Sequence, residues 1–162
     1  MGVDLYRVGV DMHGAVYDAA IRNAEGQAPN APDAMGELLA TFGTFYRTLE
    51  ATGVFFRLNN AGWQHALTLA RAHGWTPRQP AGAYWGTTIE SEEGEHIAKA
   101  LDAAANALDA HDWRADKPNT MGDVFAAMGL ANEDDAAAFW SRAPGRLHDL
   151  AAFARGGAFH VT

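Results

Sequence analysis

The chain has no cysteine. That excludes a disulfide framework, a thiolate nucleophile and a Cys-ligated metal together. It leaves the compartment open, because a cysteine-free chain survives anywhere. Cations are scarce as well: twelve Lys and Arg stand against twenty Asp and Glu, a formal net charge of −8. An acidic surface repels phosphate backbones, and no Lys/Arg cluster along the sequence offsets that repulsion. Nucleic acid and anionic membranes are therefore not expected partners. No window reaches the ~18 apolar residues of a membrane span. The opening MGVDLYRVGVDM sets Asp4 and Arg7 inside what would have to be an apolar run, so no secretory signal is expected. Tyr6 stands where a myristoylation pattern needs Ser or Thr. The expected location is the cytoplasm. Local catalytic signatures are missing too: there is no P-loop, G-x-G-x-x-G, H-E-x-x-H, EF-hand loop or G-x-S-x-G. Sites that a fold assembles from scattered Asp, Glu and His stay open.

What is present describes a globular chain. It has 162 residues, 48% hydrophobic and 20% charged. A chain of that length buries roughly 70% of its unfolded surface and needs no metal or disulfide staple. One domain over 1–162 is expected, and no internal repeat or low-complexity tract divides it.

Residues 3–22 read as a β-hairpin. Tyr6, Val8, Val10 and Met12 alternate on one side, with Val3 and Leu5 in the opposite phase. That phase change implies either two partly covered faces or a bulge near Gly9. His13-Gly14 is the expected turn, and Tyr17, Ala19 and Ile21 form the second strand. Turn-forming residues fill 23–33. A helix follows over 34–52, with Leu38, Phe42, Phe45 and Leu49 as its stripe, Asp33 as N-cap and Gly53 after its end. The run Val54–Leu58 is apolar enough for a central strand. Asn60 is the expected cap of a helix carrying Trp63, Leu67 and Ala70 inward, which Gly74 ends. A strand is expected over Tyr84–Ile89, with Trp85, Thr87 and Ile89 on one face. Ser91 then caps the longest helix, to about Ala110, with Ile97, Leu101, Ala104 and Leu108 on its core side. Beyond residue 112 the chain reads as nearly all helical. Asn132 caps one helix and Pro144 opens the last, which Gly156-Gly157 breaks; Phe159 and Val161 suit a terminal edge strand. The fold class is α+β: a small, mainly antiparallel sheet with helices packed on one face and a helical C-terminal extension (112–157) on the same core.

Four constellations carry possible chemistry. Arg57, Asn59 and Asn60 arrive where a strand delivers its end to a helix N-terminus. Free backbone N–H groups there favour an anion, and Arg57 adds a bidentate grip. The same residues have a plainer reading: Asn60 caps the helix, Asn59 makes the turn, and Arg57 pairs with an acidic neighbour. Trp63, Trp75, Tyr84 and Trp85 surround a Pro/Gly loop. As exposed aromatics they would bind a sugar, a cation or a protein; as buried ones they pin the loop to the core. Glu90, Glu92, Glu93, Glu95 and His96 put carboxylates beside an imidazole, but they fan around the helix axis instead of sharing a face, and no metal site is expected. The histidines show no i, i+4 metal pair, and His65 lies about 200° round its helix from Trp63, toward solvent. No catalytic residue and no cofactor is assigned.

The stretch GVFFRLNNAGWQHALTLARAHGW, followed by YWGTTIESEEGEHIAKALDAA, resembles a group of small uncharacterised bacterial proteins that carry G-x-Y-F-R-x-N-x-x-G-W and then an A-x-x-L-A-x-A-L helix. The matching positions are Gly53, Phe56, Arg57, Asn59, Gly62 and Trp63, then Ile97, Ala98, Ala100 and Leu101. The likeness covers about residues 53–108, a third of the chain. It departs at Gly86-Thr87-Thr88, where those proteins carry an Asn-Asp-Gly turn. It implies a bacterial origin and supports the strand-then-helix order.

Together these readings favour a non-enzymatic binding or interaction protein, immunity-like or regulatory, with a protein partner or a small polar or anionic ligand. Two alternatives stand beside it. One is a small hydrolase that orients an anionic substrate with Arg57, Asn59 and Asn60. The other is a homo-oligomer joined through Phe159 and Val161 at a sheet edge.

Overall fold

Val3 and Leu5 are completely buried, and they decide which face of the first strand meets the core. The computed structural model describes residues 2–11, 14, 44–80, 84–110 and 132–162. Strand β1 (Gly2–Arg7) runs antiparallel to β2 (Phe55–Asn59), with Leu5 opposite Phe56 and Asp4 opposite Arg57. On its other side β1 pairs antiparallel with β4 (Phe159–Val161), which in turn pairs with the short β3 (Thr88–Ile89). The sheet order is β2-β1-β4-β3. This is the expected α+β architecture.

Period-two alternation sorts the sheet into two faces. Val3, Leu5, Phe56, Ile89, Phe159 and Val161 join one large buried cluster. Helices α2 (Asn60–Ala72), α3 (Ser91–Asp109), α4 (Glu133–Trp140) and α5 (Pro144–Arg155) contribute to that same cluster. The C-terminal helices therefore complete the core that the strands begin. Tyr6 and Phe55 point the other way, into a smaller cluster with Phe45, Tyr46, Leu49 and Val54. Phe45, Tyr46 and Leu49 belong to α1, helical over 44–51. The phase change in β1 thus reflects two covered faces.

Local chemistry explains the element ends. Gly53 (φ +71°) closes α1, and Gly74 (φ +99°) closes α2. The α2 cap is Asn59, one residue earlier than expected: its Oδ1 accepts from the Gly62 N–H at 2.6 Å. Asn132 caps α4 by accepting from the Asp135 N–H at 2.9 Å. Glu90 is the N-cap residue of α3 and makes no side-chain cap bond, while Glu92 and Glu93 occupy the first turn, where the helix dipole favours them.

Several expectations need correction. The chain turns at Val8 and Gly9 (φ +76°), leaving Val8 and Val10 exposed; Gly14 is helical, not part of a hairpin turn. The proposed second strand of that hairpin, the 23–33 loop, the start of the 34–52 helix and residues 111–131 lie outside the described residues. Strand β2 is an edge strand, not a central one, and β4 is interior, not an edge. Phe159 and Val161 are fully buried, so they offer no edge for a second copy. The Tyr84–Ile89 strand shrinks to Thr88–Ile89 because Gly86 (φ +72°) turns the chain. His65 is fully buried against Phe139 of α4, ring centroids 4.9 Å apart, because α4 covers the side of α2 expected to face water. No helix among the described residues is long and apolar enough to cross a membrane.

Candidate anion site

The exposed edge of β2 is clasped by two side chains from opposite sides of the sheet. Arg57 sits opposite Asp4 in the register, so its own N–H and C=O point away from β1. Glu50 of α1 accepts the Arg57 N–H at 3.0 Å. Arg146 of α5 donates to the Arg57 carbonyl at 3.0 Å. The two clasping side chains are themselves joined, Arg146 Nη1 to Glu50 Oε2 at 2.9 Å and Nη2 to Oε1 at 2.6 Å. This bidentate pair binds α1 to α5 across the strand and blocks strand addition at that point.

Two cavities flank the clasp and share Arg47, Glu50 and Arg146 in their walls. The larger, about 450 Å³, adds Arg7 and the rings of Phe55, Phe56 and Phe153. The smaller, about 340 Å³, adds Arg57, Tyr46 and Asn59. Its wall carries three guanidinium groups and one carboxylate, Glu50. Four of the chain's twelve Lys and Arg thus meet at one edge of a molecule whose net charge is −8.

These arginines differ in how they are held. Three stack on aromatic rings, each 4.2 Å from the ring centroid: Arg7 on Phe153, Arg57 on Tyr46, Arg146 on Phe56. Stacking occupies a face of the guanidinium and leaves its N–H edge available in the plane. Arg7 has spent that edge on the fold. It donates to the carbonyls of Phe153, Gly157 (2.7 Å) and Gly53 (3.3 Å), and burial holds its guanidinium below the usual value. Arg57 keeps one ion pair, Nε to Asp4 Oδ1 at 3.5 Å. Arg47 is exposed and makes no ion pair with the described residues. Among the described residues a ligand therefore meets one guanidinium without an ion pair, Arg47, one with a single weak partner, Arg57, and one already neutralised by Glu50, Arg146.

The sequence-derived candidates divide accordingly. Arg57 and Asn59 line the smaller cavity; Asn60, the first residue of α2, is absent from its wall. The plainer reading also holds in part, since Asn59 caps α2 and Arg57 pairs with Asp4. Trp63, Trp75 and Tyr84 are buried in the core, and only Trp85 is exposed, at 47%. The Tyr84 hydroxyl donates to Glu93 Oε1 at 2.5 Å and accepts from the Arg78 N–H at 3.0 Å. Trp75 and Tyr84 thus pack in the core, and Tyr84 ties Arg78 to Glu93, instead of presenting a platform. No group of three or more His, Asp or Glu among the described residues could hold a metal.

Sequence reasoning missed Arg7, Arg47, Glu50 and Arg146. Arg47 and Glu50 sit three positions apart on α1 and so share a helix face, a pairing visible in advance. Nothing local links them to positions 7, 57 or 146. Other cavities lie on either side of Trp75. The one between His73, His96 and Lys99, about 570 Å³, contains a single permanent cation.

No protein-family model, curated protein or solved structure matches the chain.

Proposed function

We propose that this chain is a binding protein that takes an anionic group, a carboxylate or phosphate, at the arginine edge of β2. The observation that carries this reading is the convergence of Arg47, Arg57 and Arg146 on one cavity of ligand size in an otherwise acidic molecule. Ring stacking of Arg57 and Arg146 restricts their rotamers before any ligand arrives, which lowers the entropy cost of binding. Among the described residues the two walls offer guanidinium groups, the Tyr46 phenol, the Asn59 amide and two carboxylates, of which Glu50 is engaged by Arg146 and the Arg57 N–H. A bacterial setting, which the likeness over 53–108 implies, a cytoplasmic location and a regulatory or immunity-like role belong to the same reading.

The test is calorimetric titration of inorganic phosphate at fixed ionic strength into the wild type and Arg47→Ala. Saturable binding that weakens at least about tenfold in the variant is expected, the loss of one charge-assisted contact. Arg47 is exposed and makes no ion pair with the described residues, so the variant should melt with the wild type. Absence of saturable binding, or equal binding by both proteins, overturns the reading.

A further inference from the structure

We infer that the anion bound here carries an apolar organic body, an aryl or short acyl group, seated in the larger cavity while the charged end lies against Arg47 and Arg57. The inference rests on the anion-binding reading and names the ligand class for that site. Its basis is the unlike character of two cavities that share a wall. The smaller is bounded by Arg47, Arg57, Asn59 and the Tyr46 ring. The larger is lined by Phe55, Phe56 and Phe153, all three buried, with the exposed Ala51 and Ala152 also in its wall. Arg47, Glu50 and Arg146 belong to both, so one molecule can reach from one into the other.

Charge alone does not account for the larger cavity. Its Arg7 donates to three carbonyls of the fold, and Arg146 is engaged by Glu50. Asp149 adds a carboxylate to the same wall. Among the described residues a second anionic group would find no uncommitted guanidinium there except Arg47, whereas an apolar group meets the alanine and phenylalanine side chains of the wall at no electrostatic cost. About 450 Å³ holds one aromatic ring or a short chain, not a polymer.

Glu50 sets a further selection. It engages both terminal nitrogens of Arg146 and the Arg57 N–H, so the incoming anion uses Arg47 and the remaining edge of Arg57. Two guanidinium groups suit a single carboxylate or phosphate and give a second anionic group on the same molecule nothing to bind. The ligand class is an amphipathic monoester or monocarboxylate.

The experiment compares methyl phosphate with phenyl phosphate, equal in charge, by calorimetric titration at fixed ionic strength. The wild type should bind phenyl phosphate at least about tenfold more tightly, since ring burial supplies the difference. Ala152→Gln and, separately, Ala51→Gln should bring the ratio of the two affinities close to one by filling the rim of the larger cavity. Both positions are exposed, so folding is expected to survive. Equal binding of the two esters by the wild type overturns the inference and leaves the anion reading standing. A preference that both variants retain overturns the placement of the body. Failure of both esters to bind overturns the anion reading as well.

Discussion

Arg146 reaches across the edge of β2 and grips Glu50 through both terminal nitrogens, at 2.9 and 2.6 Å. The pair ties the last helix to α1 over the strand between them, and both partners also bond the Arg57 peptide. Glu50→Ala should destabilise the fold by about 1–3 kcal/mol, because it strands a guanidinium and a peptide N–H together. Glu50→Gln should cost less, since an amide oxygen still accepts from Arg57. Urea unfolding of Glu50→Ala, of Arg146→Ala and of the double variant gives the coupling directly; about 1 kcal/mol or more is expected. Additive losses would show the pair to be incidental.

At Gly94 α3 lies close against α5. A Cβ added there would meet the Ala154 carbonyl oxygen at 2.7 Å. Alanine gains about 1 kcal/mol of helix propensity over glycine. Overpacking against a backbone atom costs about 1–3 kcal/mol, since no side chain can rotate away. Gly94→Ala should therefore lower the urea midpoint. A raised midpoint would mean that the two helices slide apart easily.

His148 on α5 lies between two carboxylates of α3, its Nδ1 3.1 Å from Asp102 and its Nε2 3.3 Å from Asp109. The Asp102 hydrogen bond raises the imidazole pKa from 6.5; partial burial opposes this and the bond to Asp109 reinforces it. Burial pushes the Asp102 carboxyl up, but hydrogen bonds from Arg155 and His148 outweigh it and leave the pKa below 3.8. The histidine's contribution is complete below pH 6.5 and fades as pH rises through its raised folded value. The aspartate's contribution is present above pH 3.8 and fades as pH falls through its lowered value. The clamp is therefore strongest between those limits. Melting curves of wild type and His148→Asn should differ most near about pH 5.5 and converge near about pH 9. A constant difference across that range would contradict this account.

Tyr84 is buried with its hydroxyl 2.5 Å from Glu93, and burial followed by that bond lifts the phenol pKa to about 12. An unfolded tyrosine ionises near 10, so the wild type should lose stability between pH 10 and about 12. Tyr84→Phe should cost about 1–3 kcal/mol at neutral pH by removing a partner of buried Glu93. The variant should also lack the alkaline loss that this tyrosine causes. Ultraviolet titration of wild type and variant separates Tyr84 from the other phenols.

The segment from Gly53 to Gly74 was legible because each local signal agreed. A glycine ends one helix, an apolar run makes the strand, and an Asn-led amphipathic helix follows. The cap still slipped by one residue, since Asn59 and Asn60 are chemically the same and only geometry separates them. Strand placement was less legible. The pattern of Val54–Leu58 reports covered faces, and both faces of β2 are covered; it is silent about which edge is open. The same silence hid the interior position of Phe159–Val161. His65 looked solvent-facing because one helix's periodicity cannot reveal a second helix on its flank. The arginine edge was half visible: Arg57 and Asn59 were flagged by the strand-to-helix corner, whereas positions 7, 47 and 146 meet them only through sheet order.

The central claim is that Arg47 and Arg57, beside the Arg146–Glu50 pair, form one anion site. Nuclear magnetic resonance of the side-chain Nε–H and backbone N–H groups during a phosphate titration tests it most directly. The account predicts that the Nε signals of Arg47 and Arg57 and the amide of Asn59 shift together along one saturating curve. Arg71 and Arg78, outside the two cavities, should stay still. Shifts that are linear in phosphate, or centred on His73, His96 and Lys99, would contradict it.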